Sequence, residues 1–230
     1  MTATPSDLQI GGAPVVTITA ADAPPAGPAI LDATVLPGRG MMLLQASLRL
    51  PSGEIVDAIH APAPAEAAKA LSGGEDDFAG NRSFTFGGCL LAPFANRIRG
   101  RALPGAREIE SLIDGRPVRL LRNWGGKAAG AEQYAMHGFL LDAEVPFEAE
   151  PDRIRGHLAA GDFGGRWPGR VDLDFEYRLE RGGLVLRIDA RNAGEGPLPL
   201  GLGWHPLPAP AQRPTRPGPP AAAGRPARRG

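Results

Sequence analysis

The run Val171-Asp-Leu-Asp-Phe-Glu-Tyr-Arg-Leu179 constrains the fold more than any other part of the chain. Apolar and polar side chains alternate through it without a break, the period of a strand with one buried face and one wet face. Glu180-Arg-Gly-Gly183 follows, and glycine accepts the positive φ that a tight hairpin turn needs. Leu184, Leu186, Ile188 and Ala190 then line one face of a return strand, with Arg187, Asp189 and Arg191 on the other. An antiparallel hairpin is predicted here.

Weaker alternation recurs at Leu44–Leu50, Ile55–His60, Val118–Arg122 and Arg153–Ala159, and Val15–Thr19 is β-branched and strand-like. Loops rich in Pro, Gly and Asp separate these runs, notably at 21–28, 72–80 and 124–131. Only Ala65–Leu71 has a helical pattern, about two turns, which is marginal alone. Many short strands with turn signals between them predict an all-β sandwich or barrel.

Charge divides the chain in two. The 25 Lys+Arg balance the 25 Asp+Glu, yet residues 207–230 carry five Arg (213, 216, 225, 228, 229) and no acid. A body of −5 over 1–206 is therefore joined to a tail of +5. The tail is almost all Pro, Ala, Arg and Gly and has too little apolar surface to offset its ordering entropy, so it is expected to be disordered. Its arginines could give salt-sensitive attraction to nucleic acid, but no interleaved aromatics offer stacking, and no nucleic-acid partner is expected. The single cysteine, Cys89, excludes an intramolecular disulfide framework and a Cys-rich zinc site. No secretory signal and no apolar run of membrane-spanning length is visible, so the expectation is a soluble, cytoplasmic protein without a membrane partner.

The four histidines are the natural acid/base candidates near neutral pH. His157 shares a strand face with Arg153 and Arg155 and reads as solvated, and His60 reads as structural or exposed. His205 ends Leu198-Pro-Leu-Gly-Leu-Gly-Trp-His205, where Leu198, Leu200, Leu202 and Trp204 share one face and Gly201 and Gly203 clear the other. Glycines in a strand mark close approach of a ligand or of another backbone, and Pro206 holds His205 extended. A ligand-facing histidine and a structural one in a tight sheet are both open readings. His137 precedes Gly138 in Tyr134-Ala-Met-His-Gly-Phe139. Asn96 and Arg97 interrupt the apolar stretch Leu91-Ala-Pro-Phe-Ala-Asn-Arg-Ile98, and an arginine there needs a carboxylate, a carbonyl or a polar ligand.

Taken in order, Leu91–Ile98, Met136-His-Gly-Phe139 and Pro199-Leu-Gly-Leu-Gly-Trp-His-Pro206 resemble three landmarks of the aldose 1-epimerase (galactose mutarotase) family. Trp167-Pro168 and the run ending Ala190-Arg-Asn-Ala-Gly194 resemble the stretch leading to the last landmark, and the likeness extends over roughly residues 28 to 206. It implies a large antiparallel β-sandwich, here residues 1–206 and incomplete at its C-terminus, with a groove for a monosaccharide. That sugar is an aldohexose such as glucose or galactose, or a hexose phosphate. The resemblance makes His205 the general acid and assigns sugar binding to Arg97, His137 and Asn96, with no metal and no cofactor. A carboxylate base belongs to the part expected after the third landmark, where 207–230 contains none. The expectation is thus a reading frame lost near codon 206 or a decaying gene copy, with impaired activity and poor solubility. Asp142, Asp172 and Asp174 are substitutes by presence alone, and the last two occupy the polar face of a regular strand. The alternative function is a non-catalytic carbohydrate-binding protein.

Overall fold

The computed structural model describes residues 4–126, 128 and 130–210, and its regular structure is almost all antiparallel strand. In chain order the elements begin with β1 (Thr4–Ile10), β2 (Ala13–Thr19), β3 (Ala29–Leu36), β4 (Met42–Arg49), β5 (Ile55–Asp57) and the helix α1 (Pro64–Ala70). β6 (Gly88–Leu91), β7 (Arg97–Ala102), β8 (Glu108–Ile113), β9 (Arg116–Leu121), β10 (Trp124–Gly125) and β11 (Gln133–Met136) follow. The last are β12 (Phe147–Glu150), β13 (Arg153–Gly161), β14 (Val171–Glu180), β15 (Gly183–Asn192) and β16 (Gly203–Pro206). Among the described residues no helix is long and apolar enough to cross a membrane.

The predicted hairpin forms as β14 and β15, with Phe175 opposite Ile188 and Tyr177 opposite Leu186. With β12 and β13 it makes a four-stranded sheet. Its alternation sends Leu173, Phe175 and Tyr177 inward, where they pack with Ile154 against Val16, Ile18, Val35 and Leu43. Those partners belong to a seven-stranded sheet ordered β1-β2-β3-β4-β6-β16, with β5 paired to β4. Two facing sheets around one core are the sandwich expected from the periodicity. Each large side chain fully buried there contributes roughly 1.5–3 kcal/mol.

The larger sheet is covered on its second face as well. Leu36, Met42, Leu44, Cys89 and Leu91 pack against Ala67 and Leu71, at α1 and its C-terminal end, and against Phe84 and Phe86. Strands covered on both sides read as continuous apolar runs, hence Met42-Leu43-Leu44 and Cys89-Leu90-Leu91. Burial pushes the Cys89 thiol up to about 12.

A third sheet, β10-β11-β7-β8-β9, encloses its own cluster of Phe94, Ile109, Val118, Leu120, Ala135 and Trp167. Two expectations differ from the structure. The stretch 124–131 is more than a loop, because β10 opens it at Trp124–Gly125, whereas 72–80 stays irregular, its short 3-10 turns interrupted by a kink over Asp77–Ala79. Leu198–Trp204 is not one strand; only Gly203–Pro206 pairs, and Leu200, Leu202 and Trp204 are exposed. Past Pro206 the backbone stays tied to the sheet, since Leu207 donates to Gly87 and Ala209 to Ala58. The arginines expected in a disordered tail lie at 213–229, outside the described residues.

Candidate active site

The two earlier landmarks interlock through their backbones. Phe139 donates its N–H to the Ala92 carbonyl at 2.7 Å, and His137 donates to the Asn96 carbonyl at 2.7 Å. Asn96 (φ 61°) and His137 (φ 66°) both sit in the left-handed region, which costs a non-glycine residue on the order of 1–3 kcal/mol. Gly138 lets the segments meet, because a Cβ there would lie 2.1 Å from the Ala92 oxygen. This contact brings His137 over the start of β7.

The third landmark arrives on β16, which pairs antiparallel with β6 so that His205 stands opposite Cys89. The two glycines before it face the first landmark. Gly201 donates to the Pro93 carbonyl at 2.7 Å, and a Cβ on Gly203 would press on Leu91 at 3.1 Å. The third landmark therefore docks on the first. Its histidine ends with its ring centroid 5.0 Å from that of His137, the planes tilted by 52°.

Sequence reasoning missed the wall beside this pair. Phe84 and His137 meet in a T-shaped arrangement at 5.0 Å between centroids, and Trp124 meets Phe84 at 5.8 Å. Both lie on segments without clear period, so only their aromatic character could have flagged them. Arg97 is exposed at the start of β7, its guanidinium 5.2 Å above the Tyr134 ring, whereas its neighbours Arg99 and Arg101 pair with Glu132 and Glu110. Arg97 thus keeps its donors toward solvent on an aromatic support.

The histidines differ in their surroundings. His137 is only 9% exposed, and burial first, then the nearby His205, lowers its pKa to about 4. The Nδ1 atoms of both rings are enclosed and without a hydrogen-bond partner. Among the described residues no carboxylate oxygen lies within 4.0 Å of a ring nitrogen of either histidine, and no group of three His, Cys, Asp or Glu side chains gathers as a metal site. Asp142 borders a small cavity of about 80 Å³ with Arg166 and Phe139, and burial raises its pKa. Asp172 and Asp174 lie on the outward face of β14, the first ion-paired with Arg191 and the second hydrogen-bonded to Nδ1 of His157. A groove of about 530 Å³ on that face is lined by groups that already have partners, Arg155 with Glu176, His157 with Asp174 and Arg187 with Asp189. None of these substitutes for a base beside the histidine pair.

The lowered His137 value has a consequence for stability. The unfolded chain takes up a proton near 6.5, whereas the folded one does so near 4. Between these pH values the unfolded state binds more protons. Stability is therefore complete above about pH 6.5 and falls as the pH drops toward 4, by up to about 1.4 kcal/mol per pH unit. Denaturant unfolding of the wild type and of His137→Gln at pH 7 and pH 5 should show a shallower loss in the variant. Equal losses would remove His137 as the cause.

Landmark loops of the sandwich thus lock two imidazoles together at one sheet edge. The sequence profile of the aldose 1-epimerase family matches residues 56–207, and the chain belongs to that family. Solved structures agree on the fold. The GalM/aldose epimerase homologue from C. elegans superposes with a TM-score of 0.57 at 18% identity, covering 85% of this chain and 50% of that one. The Slr1438 protein from Synechocystis sp. PCC 6803 gives 0.52 at 17% identity, covering 90% and 56%. A galactose mutarotase-like protein from Lactobacillus casei ATCC 334 gives 0.51 at 15% identity, covering 84% and 49%. The chain thus spans about half the length of the solved structures it matches. No curated protein matches it by sequence.

Proposed function

We propose that the protein binds an aldose at the His137–His205 pair and interconverts its anomers by opening and reclosing the ring. The observation that carries this reading is the close histidine pair, one member of which is held neutral. His205, the more accessible of the two, protonates the ring oxygen as a solvent water takes the proton of the anomeric hydroxyl. The C1–O5 bond breaks and a free aldehyde forms. Rotation about C1–C2 presents the other carbonyl face, and reclosure returns both protons. A single acid or base of this kind contributes about 10²–10⁴-fold.

His137, neutral near pH 7, is suited to hydrogen-bond a sugar hydroxyl without competing for the catalytic proton. The Arg97 guanidinium offers several donors in fixed geometry, which suits a polyhydroxylated ligand. The Asn96 side chain stands exposed beside it as a further polar contact. The reading extends to an aldohexose such as glucose or galactose, or a hexose phosphate, handled in the cytoplasm without metal or cofactor. The deciding measurement is the optical rotation of freshly dissolved α-D-glucose and α-D-galactose, with faster decay than in buffer as the expected result.

One observation favours a second reading. Among the described residues the pair has no carboxylate at hand to act as base. A carbohydrate-binding protein without catalysis would use the same Arg97, His137 and His205. Saturable sugar binding with no gain in mutarotation selects it.

A further inference from the structure

The backbone ladder between β10 and β11 stops short of the histidine pair. Trp124 stands opposite Tyr134 and Gly125 opposite Gln133, whereas Met136, the last residue of β11 and the one before His137, lies beyond the ladder. Asn123 takes the place of the missing strand there. Its Oδ1 accepts the Met136 N–H at 2.8 Å, and its Nδ2 donates to the Met136 carbonyl at 3.1 Å. A side-chain amide carries the same kinds of donor and acceptor as a peptide group, so it closes the ladder where the backbone leaves it. Nδ2 also approaches the Ala79 carbonyl at 3.5 Å, on the segment that leads to Phe84. Turned the other way, the amide would set its oxygen against two carbonyls and its NH2 against an N–H, so only one orientation is satisfied. Asn123 is 9% exposed, and its amide already has its partners in the backbone.

This brace acts on a strained turn. His137 holds a φ of 66°, and a sparsely populated backbone conformation persists only where its surroundings over-determine it. The N–H groups of His137 and Phe139 fasten the turn to the Asn96 and Ala92 carbonyls of the first landmark. The approach to the turn, at Met136, is fastened from the other side by Asn123. Without that clamp the turn can relax and carry the imidazole away from Phe84 and His205, which it meets at 5.0 Å each.

We propose that Asn123 is a positioning residue for ligand recognition, setting the His137 imidazole through the Met136 backbone without itself contacting the ligand. The recognition part rests on the reading that His137 meets a sugar. It goes further in assigning affinity, rather than the proton transfer at His205, to a residue outside the three landmarks.

Asn123→Ala, compared with the wild type as full chains, tests it by three measurements. In NMR titration His137 should move up from about 4 toward its ordinary value as the ring leaves its enclosure. In calorimetry the dissociation constant for glucose or galactose should rise about tenfold. The maximal rate of anomer interconversion, read by exchange spectroscopy at saturating sugar, should stay within about twofold, since His205 arrives separately on β16. Asn123→Gln keeps the amide on a longer stem and should fall between the two. Asn123→Ser provides the comparison should Asn123→Ala fail to fold, because its hydroxyl is too short to span both Met136 groups. A variant that unfolds more readily yet keeps the His137 titration and the sugar affinity shows a purely structural role and overturns the proposal. A maximal rate that falls as far as the affinity overturns the division between His137 and His205. No sugar binding by the wild type removes the proposed function and the recognition part together, while the His137 titration still decides whether Asn123 sets the ring.

Discussion

Replacement of His205 by Gln should slow the proposed anomer interconversion by about 10²–10⁴-fold, the worth of one positioned proton donor. Glutamine keeps a hydrogen-bonding amide of similar reach on β16 but cannot deliver a proton to the ring oxygen. The backbone pairing of residue 205 with Cys89 does not involve the side chain. Thermal unfolding should therefore shift little while the rate collapses. His137→Gln is the informative contrast. A group held neutral down to about pH 4 is not the proton donor at pH 7, so its loss should weaken binding more than it lowers the maximal rate. Exchange spectroscopy on the anomeric protons separates the two effects. An unchanged rate in His205→Gln would place the acid elsewhere, and equal losses of maximal rate in both variants would undo the division of labour between the rings.

How much of this arrangement is legible in the sequence depends on whether a strand has one wet face. β14 and β15 do, and their alternation predicts both the hairpin and its inward side. β3 and β6 do not: Ala29–Leu36 and Gly88–Leu91 sit in a sheet covered on both faces, where the selective pressure for alternation is absent. Local pattern alone leaves them unassigned. The site residues stand out through ordered motifs rather than through period. What those motifs do not convey is that the third landmark docks on the first through the Gly201 amide, setting the two rings 5.0 Å apart. Nor do they indicate Phe84 and Trp124, whose place is fixed by a segment held from below.

That segment hangs on a buried ion pair, and breaking the pair should cost far more stability than the loss of an exposed one. Arg39 and Asp77 are 2% and 1% exposed and meet at 3.0 Å. Arg39 also donates to the Ser83 hydroxyl at 2.8 Å, and Ser83 donates in turn to the Leu141 carbonyl at 2.6 Å. Asp77 accepts from the backbone of Gly73 and of Arg82, so a single carboxylate ties down both ends of the turn at 73–82. Asp77→Ala removes all of the carboxylate's contacts and leaves an enclosed guanidinium without a directly paired counter-charge, with only the Asp142 carboxylate in its neighbourhood. The expected loss is about 3–5 kcal/mol, read from urea unfolding at pH 7. Removing the charge as well, in Arg39→Met with Asp77→Leu, should recover part of that loss, because the penalty arises chiefly from the stranded cation. Ser83 directly precedes Phe84, so the single variant should also loosen the ring packed on His137. The His137 titration, followed by NMR in the fraction still folded, should then move up from about 4 toward its ordinary value as water reaches the ring. A loss below about 1 kcal/mol, within the range of exposed pairs, would show that water relieves Arg39 and that the network does not hold the wall.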